Sequence, residues 1–159
     1  MAKSLLNDRT LIPSFHLLTR GGTAFDSSEF KRKRNLVLFF STHPSQELFL
    51  KIEESYRDLR DQNAEIAVVC VLPLAEVENI HRRNKLSFRV LADPSLEVFS
   101  KFIQTGPSEE AAALFITDRF SEIFFQYVVS GVRELPPMED IVKSLVFIES
   151  QCPECGGNF

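Results

Sequence analysis

Two cysteines spaced three residues apart are the feature of this sequence most capable of chemistry. Cys152 and Cys155 are separated by Pro-Glu and followed by Gly-Gly. Two thiols at this spacing form a disulfide with each other or bind one metal ion together. The residues themselves leave three interpretations open: a redox dithiol, a metal-binding knuckle and an inert tail.

The metal interpretation needs more ligands than one chain's pair supplies. The run of Cys152, Pro, Glu, Cys155 and Gly resembles the metal-binding knuckle of zinc ribbons and rubredoxins, which implies zinc or iron. Tetrahedral zinc takes four ligands. The third cysteine, Cys70, lies in an apolar segment and is expected to be a buried core thiol. The missing ligands would come from a second copy, so that two chains of a homodimer share the metal.

The redox interpretation makes Cys152 and Cys155 the catalytic residues of a dithiol that reacts with a thiol or disulfide protein partner. Both follow a predicted helix, whose C-terminal end carries a partial negative charge. Glu149 and Glu154 add charge of the same sign. We expect both effects to raise the pKa of the thiols and to slow their attack at neutral pH, which still permits a slow resolving or sensing pair.

A second polar cluster consists of Thr42, His43 and Ser45, between a predicted strand and a predicted helix. His43 is a candidate general base, or an anion ligand acting together with the amides of the helix start. The alternative is that Thr42 or Ser45 caps the helix and that His43 faces solvent. We favour the capping interpretation, because no Asp or Glu is placed to orient the imidazole.

Composition places these residues in one globular domain. The sequence has 159 residues, of which 44% are hydrophobic and 25% charged, as in soluble domains with a single core. A net charge of -4 argues against nucleic acid or an anionic membrane surface as the partner. The sequence shows no apolar run that could cross a bilayer and no secretory signal, and its cysteine count is odd, so we predict a cytoplasmic protein.

The predicted strands and helices determine where the candidate site residues lie in the fold. After an extended lead-in, apolar residues 36–40 predict a strand buried on both faces, and a helix follows from Pro44 to 59. Residues 65–71 predict a second strand, parallel to the first because a right-handed crossover joins them. The pattern then predicts a helix over 75–84 and an extended piece over 88–91. A further helix is expected to start at Asp93 and Pro94, with an apolar stripe of Leu96, Phe99 and Ile103. A hairpin of 113–117 and 123–129 and a last helix over 138–148 complete the predicted order.

This order resembles the thioredoxin fold, an α/β architecture in which helices flank a mixed central sheet. Local phrases are similar to its peroxiredoxin-like branch, the alkyl hydroperoxide reductase and thiol-specific antioxidant group, or redoxins. These phrases are residues 13–17 (PSFHL), 28–30 (SEF) leading into 35–40, 88–94 (FRVLADP) and 114–119 (LFITDR). The resemblance covers residues 11 to 148. It implies a redoxin domain over 1–148, followed by a tail over 149–159 that carries the Cys-x-x-Cys pair.

The resemblance fails where the family does its chemistry. Peroxiredoxins place a cysteine at the start of the helix after the first central strand, and thioredoxins place Cys-x-x-Cys there, because a helix N-terminus stabilises a thiolate. Residues 40–47 contain no cysteine, and the family's arginine before the hairpin strand falls on Ala112. Thr42, His43 and Ser45 therefore occupy a vestigial active-site loop.

The resemblance implies a redoxin-family protein of the antioxidant or oxidoreductase class without standard peroxidase activity. Any thiol chemistry would reside in Cys152 and Cys155, and an enzyme of this kind would be a thiol-disulfide oxidoreductase or peroxiredoxin-like. The alternative is a non-catalytic thioredoxin-fold binding or dimerisation module, in which the same two cysteines form a metal knuckle. Zinc or iron shared between two chains is the one cofactor that we consider.

Overall fold

The computed structural model describes residues 2–106 and 108–151, and within them nine strands and four α-helices. The strands are β1 (Lys3–Ser4), β2 (His16–Leu18), β3 (Ala24–Asp26), β4 (Asn35–Ser41), β5 (Ala64–Cys70), β6 (Arg89–Ala92), β7 (Ile103–Gln104), β8 (Ala112–Thr117) and β9 (Ile123–Val129). The helices are α1 (Gln46–Asp61), α2 (Leu74–Asn84), α3 (Phe99–Phe102) and α4 (Met138–Ser150).

Seven of the strands form one mixed sheet in the order β3-β2-β6-β5-β4-β8-β9, while β1 and β7 form a separate two-stranded ladder. The three central strands β4, β5 and β6 are parallel, since the helical crossovers return the chain to the same edge before each strand. The strands β8 and β9 form an antiparallel hairpin beside β4. The predicted mixed α/β sheet, its parallel crossover and its hairpin are confirmed.

The central strands are buried on both faces because each face covers a separate hydrophobic cluster. In β4, Val37 and Phe39 pack with α1, α2 and α4 on one face. Leu36, Leu38 and Phe40 pack on the other face with the N-terminal lead-in and α3. Alternating side chains of one strand thus enter both clusters, which explains why the sequence shows a continuous apolar run there.

The helix after Asp93 is much shorter than the sequence predicts. Instead of a helix that starts at position 93, only the four residues of α3 are helical, Leu96 has a φ of 61°, and Ile103 already belongs to β7. The Asp93 carboxylate accepts the N–H groups of Val98 at 3.1 Å and Phe99 at 2.7 Å. Asp93 is therefore a cap, as predicted, but it caps a turn that begins after four intervening non-helical residues.

The last helix continues beyond its predicted end. The apolar pattern predicts a helix over 138–148 and a tail from 149, whereas α4 runs to Ser150. Gln151 is the last residue that the structure describes. Among the described residues, no helix combines the length and the apolar character that a membrane crossing requires.

Candidate functional site

The loop between β4 and α1 is fastened to the residue that precedes β8. The Thr42 N–H donates to the Ala111 carbonyl at 3.0 Å. In return, the Thr42 hydroxyl accepts the Ala111 N–H at 2.9 Å and lies 3.2 Å from the Ala111 carbonyl. These contacts hold the loop at the C-terminal end of the parallel strands, where open α/β sheets bind their ligands.

Ser45 is the N-cap of α1. Its backbone is extended, with φ -120° and ψ 150°, and its hydroxyl accepts the Leu48 N–H at 3.2 Å. A capping hydroxyl satisfies one of the amides that a helix start leaves without an intrahelical partner. The capping interpretation is confirmed for Ser45, while Thr42 bonds to Ala111 instead.

His43 is exposed at the tip of this loop, as the capping interpretation expects. Its Nδ1 lies 2.8 Å from the Thr42 hydroxyl, and no carboxylate of the described residues pairs with its ring. The structure brings Thr42, His43 and Ser45 together in one loop. Because the loop offers hydroxyls and an imidazole but no sulfur, it can donate and accept hydrogen bonds but cannot form a thiolate.

A groove of about 850 Å³ lies between this loop and α2. The face of α2 that lines it carries Glu76, Asn79, Ile80 and Arg83, whose i, i+3, i+4 and i+7 spacing puts them on one side of a helix. Phe49 adds apolar surface from α1. Sequence reasoning assigned no role to this part of α2, although the polar residues at helical spacing were a visible signal. A groove of this size with mixed polar and apolar walls has the dimensions of a small-molecule site.

A second cavity of about 510 Å³ lies on the other side of His43. It is lined by Glu47, Glu110 and Glu134 but by only one cation, Arg133. The larger groove adds one glutamate and one arginine. Among the described residues, the two cavities together are lined by four carboxylates and two guanidinium groups, so their combined lining carries an excess of negative charge.

Cys70 is chemically sealed inside the sheet. Its exposed fraction is 0%, and desolvation by burial raises the pKa of its thiol to about 12. In the β4–β5 ladder it lies opposite Ser41, whose hydroxyl has no hydrogen-bond partner among the described residues. A thiol that is protonated and closed to solvent is not a nucleophile. The prediction that Cys70 is a buried core thiol is confirmed.

Cys152 and Cys155 lie outside the described residues, but Gln151 fixes the point from which they depart. Gln151 and Asn35, the first residue of β4, line one small cavity of about 20 Å³. The vestigial loop lies beyond the opposite end of β4, roughly 23 Å away for seven residues of strand. Cys155 is four residues after Gln151, a reach of at most about 14 Å.

His81 is a buried residue of α2, although the two residues that follow it, Arg82 and Arg83, are exposed. It is 5% exposed, its Nε2 accepts the Val90 N–H at 3.0 Å, and the Thr19 hydroxyl lies 3.3 Å from the same atom. Burial lowers the pKa of His81 and keeps the ring neutral. The missed signal was helical spacing, since His81 follows the buried Val77 by four residues and the buried Ile80 by one.

No three His, Cys, Asp or Glu side chains within residues 2–106 and 108–151 converge in a way that could hold a metal ion. The described part of the chain therefore supplies no metal centre of its own. Zinc or iron binding, as predicted from the sequence, would depend on Cys152 and Cys155.

Comparisons with known proteins agree with the fold. The model of the AhpC/TSA family matches residues 9–123. Among solved structures, peroxidoxin BcpB from Mycobacterium tuberculosis has a TM-score of 0.76 and 14% identity, over 91% of this chain and 97% of the other. PrxQ from Xylella fastidiosa, solved as a mutant, has a TM-score of 0.77 and 15% identity, over 91% and 98%.

Mycobacterium tuberculosis AhpC has a TM-score of 0.74 and 17% identity, over 94% of this chain and 98% of the other. No curated protein matches the sequence. At these identities the likeness to solved structures shows the fold alone, and it confirms the predicted thioredoxin-like architecture.

Proposed function

Because the chain belongs to the AhpC/TSA family, we propose that it is a redoxin-class oxidoreductase without standard peroxidase activity, whose thiol chemistry resides in Cys152 and Cys155. One observation carries the proposal. At the N-terminus of α1, the family's thiol position, the chain places the capping hydroxyl of Ser45. Cys70, the one cysteine among the described residues, is closed to solvent.

The physical reasoning concerns where a thiolate would be stabilised. A peroxide-reducing thiol needs a low pKa, which a helix N-terminus and a nearby cation provide. At this end of the sheet the cap is a serine, and Ala112, on which the family's arginine falls, is a fully buried apolar residue of β8. The loop therefore lacks the nucleophile, and position 112 lacks the family's arginine. Disulfide exchange at Cys152 and Cys155 would proceed at a separate centre.

The test compares peroxide consumption with disulfide reduction, using full-length protein. Wild type is expected to reduce protein disulfides in the presence of dithiothreitol and to consume hydrogen peroxide no faster than free dithiol. The Cys152→Ser, Cys155→Ser double variant should lose the disulfide activity, whereas the matched control Cys70→Ala should keep it. Disulfide reduction that survives in the double variant, or that is absent from wild type, would contradict the proposal.

The second candidate is a binding or dimerisation module, and the outer edge of β9 favours it. β9 is the last strand of the sheet and has no charged residue, although charges and prolines usually protect such edges. The N-terminal lead-in covers only the start of this edge in the described chain: the Arg9 N–H and the Thr10 carbonyl bond to Ile123, and a bridge joins Leu11 to Glu122. Tyr127, Val146 and Phe147 add exposed apolar surface beside this edge.

We propose that a second copy of the chain covers this edge in a twofold dimer. A twofold axis at β9 would pair the strand with its own copy in antiparallel orientation. Phe147 packs against Phe125 of β9 and precedes Gln151 by about one helical turn, so in such a dimer the ends of both α4 helices lie on the same face of the joined sheet. Four cysteines of two chains would then be available to one zinc or iron ion.

The dimer and the shared metal are tested by mass in solution and by elemental analysis. A dimer with about half a zinc or iron atom per chain is the expected result. Tyr127→Lys should produce monomers, because it places a charge at the proposed interface, while Lys51→Glu at an exposed site on α1 should not. Protein that is monomeric and free of metal at all concentrations would exclude this candidate.

A further inference from the structure

We propose that the groove between the vestigial loop and α2 binds a short peptide whose amino and carboxyl ends are both free. The inference goes beyond the proposed function, because none of the described residues that line the groove is a cysteine. The groove combines two charges of opposite sign, free hydrogen-bonding side-chain atoms and an apolar surface. Each of these three features matches one part of a peptide.

The two charges lie at opposite ends of the α2 wall of the groove. Glu76 belongs to the first turn of α2 and Arg83 to its last turn. Both are exposed, and neither forms an ion pair or a hydrogen bond with a described residue. The helix rises by about 10 Å between them, and an extended tripeptide spans about the same distance. The ammonium and carboxylate groups of such a peptide carry the charges complementary to Glu76 and Arg83.

The end of α2 at Arg83 is basic. Arg82 and Lys85 are exposed there as well. The three cations exceed the negative charge of about half a unit that the C-terminus of a helix carries. The carboxyl end of a bound peptide is therefore directed toward Arg83.

The other carboxylates near the groove have partners of their own. Glu53 of α1 accepts the N–H and the hydroxyl of Ser87. Glu47 lies 4.0 Å from Arg133 and lines the other cavity beside His43. Glu78 of α2 accepts a backbone N–H of the turn before β3 at 3.2 Å. Among the described residues, Glu76 is the one carboxylate that lines the groove, so it is the group that a peptide ammonium meets there.

The hydrogen-bonding atoms left free in the groove match a peptide group. Gln46 of α1 donates its Nε2 to Asn84, which leaves its Oε1 as a free acceptor. The Oδ1 of Asn79 accepts the Arg82 guanidinium at 2.7 Å, which leaves its Nδ2 as a free donor. The Nε2 of His43 is free as well, since its contact with Thr42 uses Nδ1. A peptide backbone offers N–H groups to Gln46 and carbonyl groups to Asn79.

The apolar surface of the groove suits a side chain in the middle of the peptide. Phe49, Leu72 and Ile80 contribute it. Phe49 and Ile80 belong to the hydrophobic cluster between the sheet and the helices, against which Leu72 packs, so this surface exists before a ligand arrives. The ligand that fits all three features is a tripeptide with an apolar central residue, its amino end at Glu76 and its carboxyl end at Arg83.

The test measures the binding of tripeptides to the full-length protein by isothermal titration calorimetry. Ala-Leu-Ala with free ends is compared with the same peptide acetylated at its amino end or amidated at its carboxyl end. A fourth probe, ω-aminooctanoate, carries both charges at a similar separation but has no peptide group. The free peptide should bind about three- to ten-fold more tightly than each of the other three probes.

Variants of the two charged residues locate the ends of the peptide. Arg83→Gln should weaken the free peptide about three- to ten-fold and leave the affinity for the amidated peptide unchanged. Glu76→Gln should weaken the free peptide to a similar extent and leave the affinity for the acetylated peptide unchanged. The matched controls Lys51→Gln and Asp58→Asn remove the same charges at exposed positions of α1 that do not line the groove. Both controls should bind all four probes like wild type.

Three results would overturn the inference: no binding of the free peptide, variants that weaken free and blocked peptides equally, and ω-aminooctanoate that binds as tightly as the peptide. The Cys152→Ser, Cys155→Ser variant should bind the peptide like wild type. A failure of peptide binding and a failure of the proposed disulfide chemistry are therefore separate results.

Discussion

Replacing Asp93 by alanine tests the most consequential buried hydrogen bonds of the fold. Asp93 is 1% exposed, and its carboxylate accepts the N–H groups of Val98 and Phe99, whose side chains are also buried. Alanine leaves both N–H groups without an acceptor, at about 1–3 kcal/mol each. We therefore expect the free energy of unfolding to fall by about 2–5 kcal/mol. Asparagine keeps one accepting oxygen and should cost about half as much.

The assay is urea unfolding at neutral pH, followed by circular dichroism. For a slope of about 2 kcal/mol per molar, within the usual range of about 1–3, Asp93→Ala should lower the midpoint by roughly 1–2.5 M, with Asp93→Asn between it and wild type. Asp58→Ala removes an exposed carboxylate of α1 and should change the unfolding free energy by less than about 0.5 kcal/mol. An Asp93→Ala midpoint equal to that of Asp58→Ala would refute the cap across four residues.

Three further predictions concern buried groups near the candidate site. Burial lowers the pKa of His81 from its ordinary 6.5. The free energy of unfolding should therefore keep its full value above pH 6.5 and fall as the pH decreases toward the lowered pKa, by at most about 1.4 kcal/mol per pH unit. Urea unfolding across this range should show a flatter pH dependence in His81→Gln. Cys70, with a pKa raised to about 12, should resist iodoacetamide in native protein and react with it in urea. Equal labelling of Cys70 under both conditions would show that its thiol is accessible to solvent in the folded protein. Thr42→Val removes the hydroxyl that bonds Ala111 and should cost about 1–2 kcal/mol, with Ser45→Ala as a comparison that loses a cap of about 1 kcal/mol.

Local sequence patterns predict the structural features that depend on residues close together in the chain. The run at 36–40 predicts a doubly buried strand because every residue in it is apolar, and Ser45 precedes its helix as a cap should. The Asp93 segment differs, because its cap reaches amides that are five and six residues away. A capping aspartate has the same appearance in sequence whether it bonds the next turn or a later one.

Properties that depend on the packing of distant elements could not be predicted from the sequence. The burial of His81 follows from contacts with Thr19 and Val90, which belong to two other elements. The wide separation between the vestigial loop and Gln151 follows from the direction of α4, which carries the chain from one end of the sheet to the other. Helical periodicity gives the apolar face of α4 but not this direction.

The lead-in before β4 contacts both edges of the sheet. Arg9 and Thr10 bond to Ile123 at one edge, and β2 pairs with β6 on the other side. At a translation rate of about 5–20 residues per second, Ile123 is synthesised roughly 6–23 s after Thr10. Until then the apolar side chains of Ile12 and Phe15, which are buried in the finished protein, have no complete surface to cover. The order of synthesis therefore leaves these two side chains without their final packing partners until the β8–β9 hairpin has been made.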